Sequence, residues 1–156
     1  MPDFEGLRNP PRPNPDGLLD NVLRKGTPDR VYHMELFHDP EIRDAIAERF
    51  DLLAGASADD PHYERKKRIA VNRFCGWDYV LAGCDVTMQH HGGVAADTAG
   101  LARAGGRTYQ DEHTGPIMSW DDFERFAWPD PDAPELTAEL EWFSEHLPED
   151  MCIVGG

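Results

Sequence analysis

The chain has no basic excess, no long apolar run, no paired-cysteine motif and no leader-like N-terminus. Each absence removes a class of function. Fifteen Lys and Arg stand against 30 Asp and Glu in 156 residues, a formal net charge of −15. Nucleic-acid binding draws much of its affinity from a positive footprint, which this composition lacks, and an anionic membrane surface would repel it. The acids themselves read as a solvated surface. No apolar stretch approaches the ~20 residues of a membrane span. The opening residues, MPDFEGLRNPPRPNPD, are polar and proline-rich, unlike a signal peptide. Cys75, Cys84 and Cys152 are odd in number, far apart and without C-x-x-C spacing. That argues against a disulfide framework and for reduced thiols, so the expected location is the cytoplasm. No P-loop, dinucleotide fingerprint or nucleophile elbow occurs.

What is present is an alternation of apolar runs and helical patterns. Val31–Phe37, Tyr79–Val86 and Met151–Val154 read as strands, with helical segments between them. Such a β-α-β-α-β series predicts an α/β fold with parallel strands and crossover helices. Three strands make a poor finished parallel sheet, and Gly155–Gly156 stand where a loop should begin. The expectation is therefore the front part of a larger α/β enzyme. Residues 1–15 read as a flexible arm and 16–156 as one incomplete domain.

Punctuation residues set the predicted helices. Asp16 is the expected cap of a short helix bearing Leu18, Leu19, Val22 and Leu23, ended by Gly26. Asp39–Pro40 opens a helix running to about Leu53, and Asp60–Pro61 repeats the device before a helix to Phe74. Residues 87–118 lack helical periodicity and form a long excursion with a hairpin arm near Arg107–Glu112, the kind of segment that is functional or disordered. Ser119-Trp120-Asp121-Asp122 carries an acidic capping box, with Trp120, Phe123, Phe126 and Trp128 as its packing staple. Pro134–Leu147 is the last predicted helix, with Leu136, Leu140 and Phe143 inward.

Active sites of parallel α/β folds form beyond the C-terminal ends of the strands. That rule selects Glu35 and His38 after the first strand, and Asp85, His90 and His91 after the second. Asp85 is the strongest candidate. A carboxylate at the end of an apolar strand is costly to desolvate, so it serves either hydrogen bonding to loop amides or chemistry. Glu35, flanked by Met34 and Leu36, is the second catalytic candidate, or else a solvated strand-end acid. His33 shares its face and is either a satisfied core residue or, with His38, His90 and His91, a substrate ligand. Adjacent histidines diverge, and no Cys or Asp stands at diagnostic spacing, so no metal is assigned. Cys84 reads as an inert buried thiol.

The ordered motifs resemble the uroporphyrinogen decarboxylase superfamily. Gly26-Thr27-Pro28-Asp29-Arg30-Val31, Glu35-Leu36-Phe37 and Asp39-Pro40-Glu41-Ile42 look like its opening helix, "G-x-PDRV" turn and first barrel strand. Gly76-Trp77-Asp78-Tyr79-Val80 is similar to its "G-x-D" lead into the second strand. Gly115-Pro116-Ile117, Ser119–Glu124 and Trp128-Pro129-Asp130-Pro131 resemble a later "W-x-D-x-E" helix and Pro-Asp-Pro turn. The resemblance implies a TIM (β/α)8 barrel, of which this segment is about three βα units. It implies a catalytic aspartate after the second strand, where Asp85 stands. The decarboxylase carries an arginine-rich "R-Q-A-G-R" segment that holds substrate carboxylates. Here that stretch is Glu35-Leu36-Phe37-His38-Asp39, so a polycarboxylate would meet acids. The "ELF" strand looks more like the corrinoid-linked methyltransferase branch, which uses zinc held by a His-x-Cys pair and a later Cys. None of those ligands is in this segment. Zinc and a corrinoid protein are thus implied for a full-length protein, alongside a small-molecule substrate. The alternatives are a lyase acting on a tetrapyrrole and a non-catalytic binding module.

Overall fold

The computed structural model describes residues 12–84, 86 and 88–155. They divide into two compact units, the first made of the residues up to 84 with 137–155, the second of 86–136. Together they contain helices and small sheets, an α/β composition.

The first unit holds helices α1 (Pro15–Val22), α2 (Pro40–Arg49) and α3 (Tyr63–Phe74), strand β1 (Tyr79–Leu81), and further along the chain helix α5 (Ala138–His146) and strand β4 (Cys152–Val154). The second holds strands β2 (Gly92–Ala95) and β3 (Arg107–Gln110), helix α4 (Trp120–Arg125) and a 3-10 turn at Pro134–Leu136. Strands β1 and β4 pair in parallel, with Tyr79 opposite Cys152, Val80 opposite Ile153 and Leu81 opposite Val154. The alternation of strand side chains then builds two cores. Val80 joins Ala82, Trp142, Phe143 and Met151 on one face, with Ile69, Leu140 and Ile153 against them. Tyr79, with Leu81, Cys152 and Val154, meets Leu18, Trp77 and Tyr32 on the other.

The strand expected over Val31–Phe37 is not formed. These residues make no sheet pairing, and Val31, Leu36 and Phe37 are largely exposed. Side chains have taken the positions a third strand would use. The Tyr79 carbonyl accepts from Asn72 Nδ2 at 3.1 Å, and the Leu81 carbonyl from Arg68 Nη1 at 3.2 Å. The Tyr79 hydroxyl accepts from the Glu35 amide at 2.8 Å and donates to the Glu35 carbonyl at 2.6 Å, so one phenol satisfies both backbone groups of Glu35. A run of β-prone residues becomes a strand only where a neighbouring edge is open to it. The second strand is likewise shorter than expected, ending at Leu81, with Val86 outside it and exposed.

Buried polar contacts tie the N-terminal turn to the sheet. Asp78, buried at the start of β1, accepts from the Asn14 amide at 2.6 Å and pairs with the Arg30 guanidinium. Asn14, not Asp16, caps α1, its Oδ1 accepting from Gly17 N. A Cβ on Gly17 would stand 1.9 Å from the Tyr32 hydroxyl, so this approach needs glycine. Helix α2 stops at Arg49 rather than Leu53, because Asp51 turns left-handed at φ 50°. Lys67 on α3 is buried and reaches Asp44 of α2 and Glu64, both at 2.6 Å. The last predicted helix is split into the 3-10 turn and α5, leaving Leu136 only half-buried while Phe143 is fully enclosed.

The second unit contains the expected hairpin, set further back than predicted, with β2 and β3 antiparallel and Val94 opposite Thr108. Its connecting loop is organised by Asp97, whose side chain is 3% exposed. Asp97 accepts from Ala99 N at 3.0 Å, Arg103 N at 2.9 Å and Arg107 Nε at 3.1 Å. Those bonds, the Arg103 amide foremost, hold its carboxyl down at about 2. Gly106 sits at φ 84°, and a Cβ there would meet the Ala95 carbonyl oxygen at 2.4 Å. Helix α4 carries the predicted capping box in modified form: Ser119 Oγ accepts from Asp122 N and donates to Asp122 Oδ2. The aromatic staple also forms, with Phe123 and Phe126 edge-on to Trp128 at 5.1 and 4.7 Å.

Candidate functional site: a cleft beside Trp77

The segment that failed to become a strand lines a cleft of about 230 Å³ in the first unit. Leu36, Phe37 and His38 form one wall, Arg43 of α2 another, and Arg68 and Asn72 of α3 a third, with Trp77 and Leu81 along β1. Arg68 and Asn72 are one helical turn apart, and their bonds to β1 carbonyls hold both side chains in place. The His38 ring stacks on Trp77 at 4.3 Å between centroids, and Trp77 in turn stacks on Tyr79 at 5.5 Å. Burial, followed by the nearby Arg43 charge, moves His38 below the usual imidazole value, while Glu35 pulls the other way. His38 is therefore a neutral ring at pH 7, able to give or take one hydrogen bond.

The two arginines differ. Arg68 is occupied by the Leu81 carbonyl and by an ion pair with Glu139 at 3.1 Å. Arg43 has a buried Nε with no hydrogen-bond partner among the described residues. A buried donor without a partner is costly, and because this Nε is sealed from solvent, Arg43 meets the cleft through its other atoms.

Three of the six predicted site residues lie at or near this cleft. His38 lines it. His33, its ring 6.3 Å from Trp77, and Glu35 pair with each other at 3.3 Å and are both more than half exposed. Such an exposed pair contributes little to stability, and its carboxylate is solvated rather than held in a dry site. The chemistry expected of Glu35 and the buried packing expected of His33 both required the strand that is not formed. Asp85 lies outside the described residues. His90 and His91 belong to the second unit and are exposed there, with His91 Nδ1 3.4 Å from Thr114 Oγ1. Cys84 is exposed, not buried, because the strand meant to enclose it ends three residues earlier.

Arg43, Arg68, Asn72 and Trp77 were not singled out as site residues from the sequence. Arg68 and Asn72 left a trace there, as two polar positions one turn apart beside Ile69 and Val71 on a packing helix. Arg43 left none, being one charge among many on a polar helix. Among the described residues no three His, Cys, Asp or Glu side chains converge as a metal would need, and no helix is long and apolar enough to cross a membrane. Compared with protein-family models, curated proteins and solved structures, the chain finds no match.

Proposed function

We propose that this chain is part of an enzyme of the uroporphyrinogen decarboxylase superfamily, on its corrinoid-linked methyltransferase-like branch, and that the cleft beside Trp77 belongs to the mouth that receives a small substrate. The carrying observation is the parallel pairing of β1 with β4, with the "G-x-D" motif leading into β1. Arg30 of the "PDRV" motif and Asp78 of this one meet as a buried ion pair, which gives the two motifs a joint physical purpose. The reading requires further barrel strands beyond this parallel pair.

The residues here do not fit the groups the branch uses. The donor set offers no zinc site among the described residues, and a cleft of about 230 Å³ is far too small for a corrinoid ring. The cleft's own residues bind and orient: Arg43 offers positive charge, His38 a neutral hydrogen-bonding ring, and Leu36, Phe37 and Leu81 an apolar wall. A single cation without an ion-pair partner among the described residues suits a small substrate better than the many carboxylates of a tetrapyrrole.

The test uses the full-length gene product with methylcobalamin and a small thiol as acceptor, read by loss of methylcobalamin absorbance. Catalysed demethylation is expected, with Asp85→Asn slowing it on the order of 100-fold. Decarboxylation of uroporphyrinogen instead would move the protein to the lyase branch. Neither reaction would leave a non-catalytic binding module and overturn the proposal.

A further inference from the structure

We propose that the cleft beside Trp77 binds a small monocarboxylate with a compact apolar body, anchored by the Arg43 guanidinium. This rests on the cleft being a ligand site, but not on methyl transfer as its chemistry.

The charge, the lining and the size each narrow the ligand. The chain as a whole is strongly acidic, so two arginines lining one cleft are a local exception. Arg68 is already neutralised by Glu139, which leaves the charge of Arg43 as the net charge of the lining. One positive charge matches one negative charge. A polyanion would bring its further charges up against Glu139 and Glu35. A carboxylate can take the two Nη groups of Arg43 together in the parallel two-bond geometry that favours arginine over lysine. His38, neutral beside it, can donate one further bond to the same carboxylate.

The rest of the cleft asks for an apolar body. Leu36, Phe37 and Leu81 present hydrocarbon, and the Trp77 ring, itself braced by Tyr79, supplies a flat aromatic surface. At about 230 Å³ the cavity lies below the roughly 300 Å³ at which drug-sized ligand sites begin. A ring or short branched chain fits that space, and inorganic phosphate would leave the hydrocarbon uncovered. Leu36 and Phe37 are largely exposed in the unliganded chain, so covering them adds a hydrophobic gain to the charged contact.

The experiment is titration calorimetry on the full chain with benzoate, its neutral isostere benzamide, and inorganic phosphate, without corrinoid. Benzoate is expected to bind 10- to 100-fold more tightly than benzamide, the usual effect of a charge-assisted hydrogen-bond pair. Phosphate is expected to be the weakest of the three. Arg43→Gln should abolish the preference for benzoate, Arg43→Lys should restore part of it, and Arg73→Gln, which alters a surface pair with Asp150, should leave it unchanged. Equal binding of benzoate and benzamide overturns the proposal, and that comparison needs no variant. So does tighter binding of phosphate, an Arg43→Gln protein that keeps its preference, or no benzoate binding at millimolar concentration. A corrinoid assay that fails while benzoate binds would refute the proposed chemistry and leave the ligand class standing.

Discussion

The two units hold themselves together by different means. Among the described residues, every buried hydrophobic one lies in the first, where Tyr79, Val80, Val71 and Phe143 are fully enclosed around the β1–β4 pair. In the second, no described hydrophobic residue from 86 to 136 is buried, and Val94, Tyr109, Trp120 and Trp128 stand largely in solvent. Its order comes from short-range polar geometry: a four-residue hairpin, an aspartate-centred loop and a capped six-residue helix. The difference teaches where resistance to unfolding should reside. Apolar burial is cooperative, because many residues share one cavity-free core, whereas a hydrogen-bonded loop can open alone.

The strongest way to break the comparison is Phe143→Ala. It removes a fully buried ring from the core beside β1 and should cost roughly 3–5 kcal/mol, read as a lower denaturant midpoint. Amide exchange should rise across α3, β1, α5 and β4 together, and hardly at all in β2 and β3. Equal loss of protection in the hairpin would show that the second unit depends on the first core after all.

A smaller and local effect is expected at Asp97. Its carboxyl titrates at about 2 in the folded chain against an ordinary 3.8. A depressed folded value means the charged form favours folding. The contribution is complete above about pH 4 and is lost as pH falls toward 2. Exchange at the Ala99 and Arg103 amides should therefore quicken over that window, once the intrinsic pH dependence is removed. Asp97→Asn should quicken it at neutral pH and abolish the window. An unchanged profile in that variant would assign the loop's order to Gly105 and Gly106 instead.

The smallest effect sharpens the contrast further. Ser119→Ala removes the acceptor for the Asp122 amide and should cost about 1 kcal/mol, felt only in α4. Chemical shifts of Trp120–Arg125 would report fraying while the global midpoint stays put. A global shift would mean that α4 is coupled to a core.

How much of the chain was legible in sequence follows the same division. Asp39–Pro40 and Ser119 mark helix starts, Gly76 at φ 80° closes α3, and Asp122 completes a cap, because these devices act within a few residues of themselves. Asp60–Pro61 does not open α3, which starts at Tyr63 after His62; Asp60 instead accepts from the His62 amide in the preceding turn. The parallel relation of β1 and β4 was also legible, since two short apolar runs separated by helical pattern leave few other arrangements. Asp16 misled because Asn14, two residues earlier, offers its own oxygen to Gly17. The cleft was only partly legible. His38 was visible because histidine is rare and chemically marked, while Arg43 was indistinguishable from a solvated charge.

Sequence by itself determined the acidic surface, the starts of α2 and α4 and the two apolar runs that pair, since each depends on composition or on a short local pattern. Tertiary structure alone decided the fate of Val31–Phe37. Its pattern is that of a strand, but a strand exists only through a partner's edge, and Asn72, Arg68 and the Tyr79 hydroxyl occupy the hydrogen-bonding groups that pairing would need. The same substitution of side chains for a strand leaves His38 on Trp77 and Arg43 at a cavity wall. The candidate site is thus a product of long-range competition for backbone hydrogen bonds, which no local pattern records.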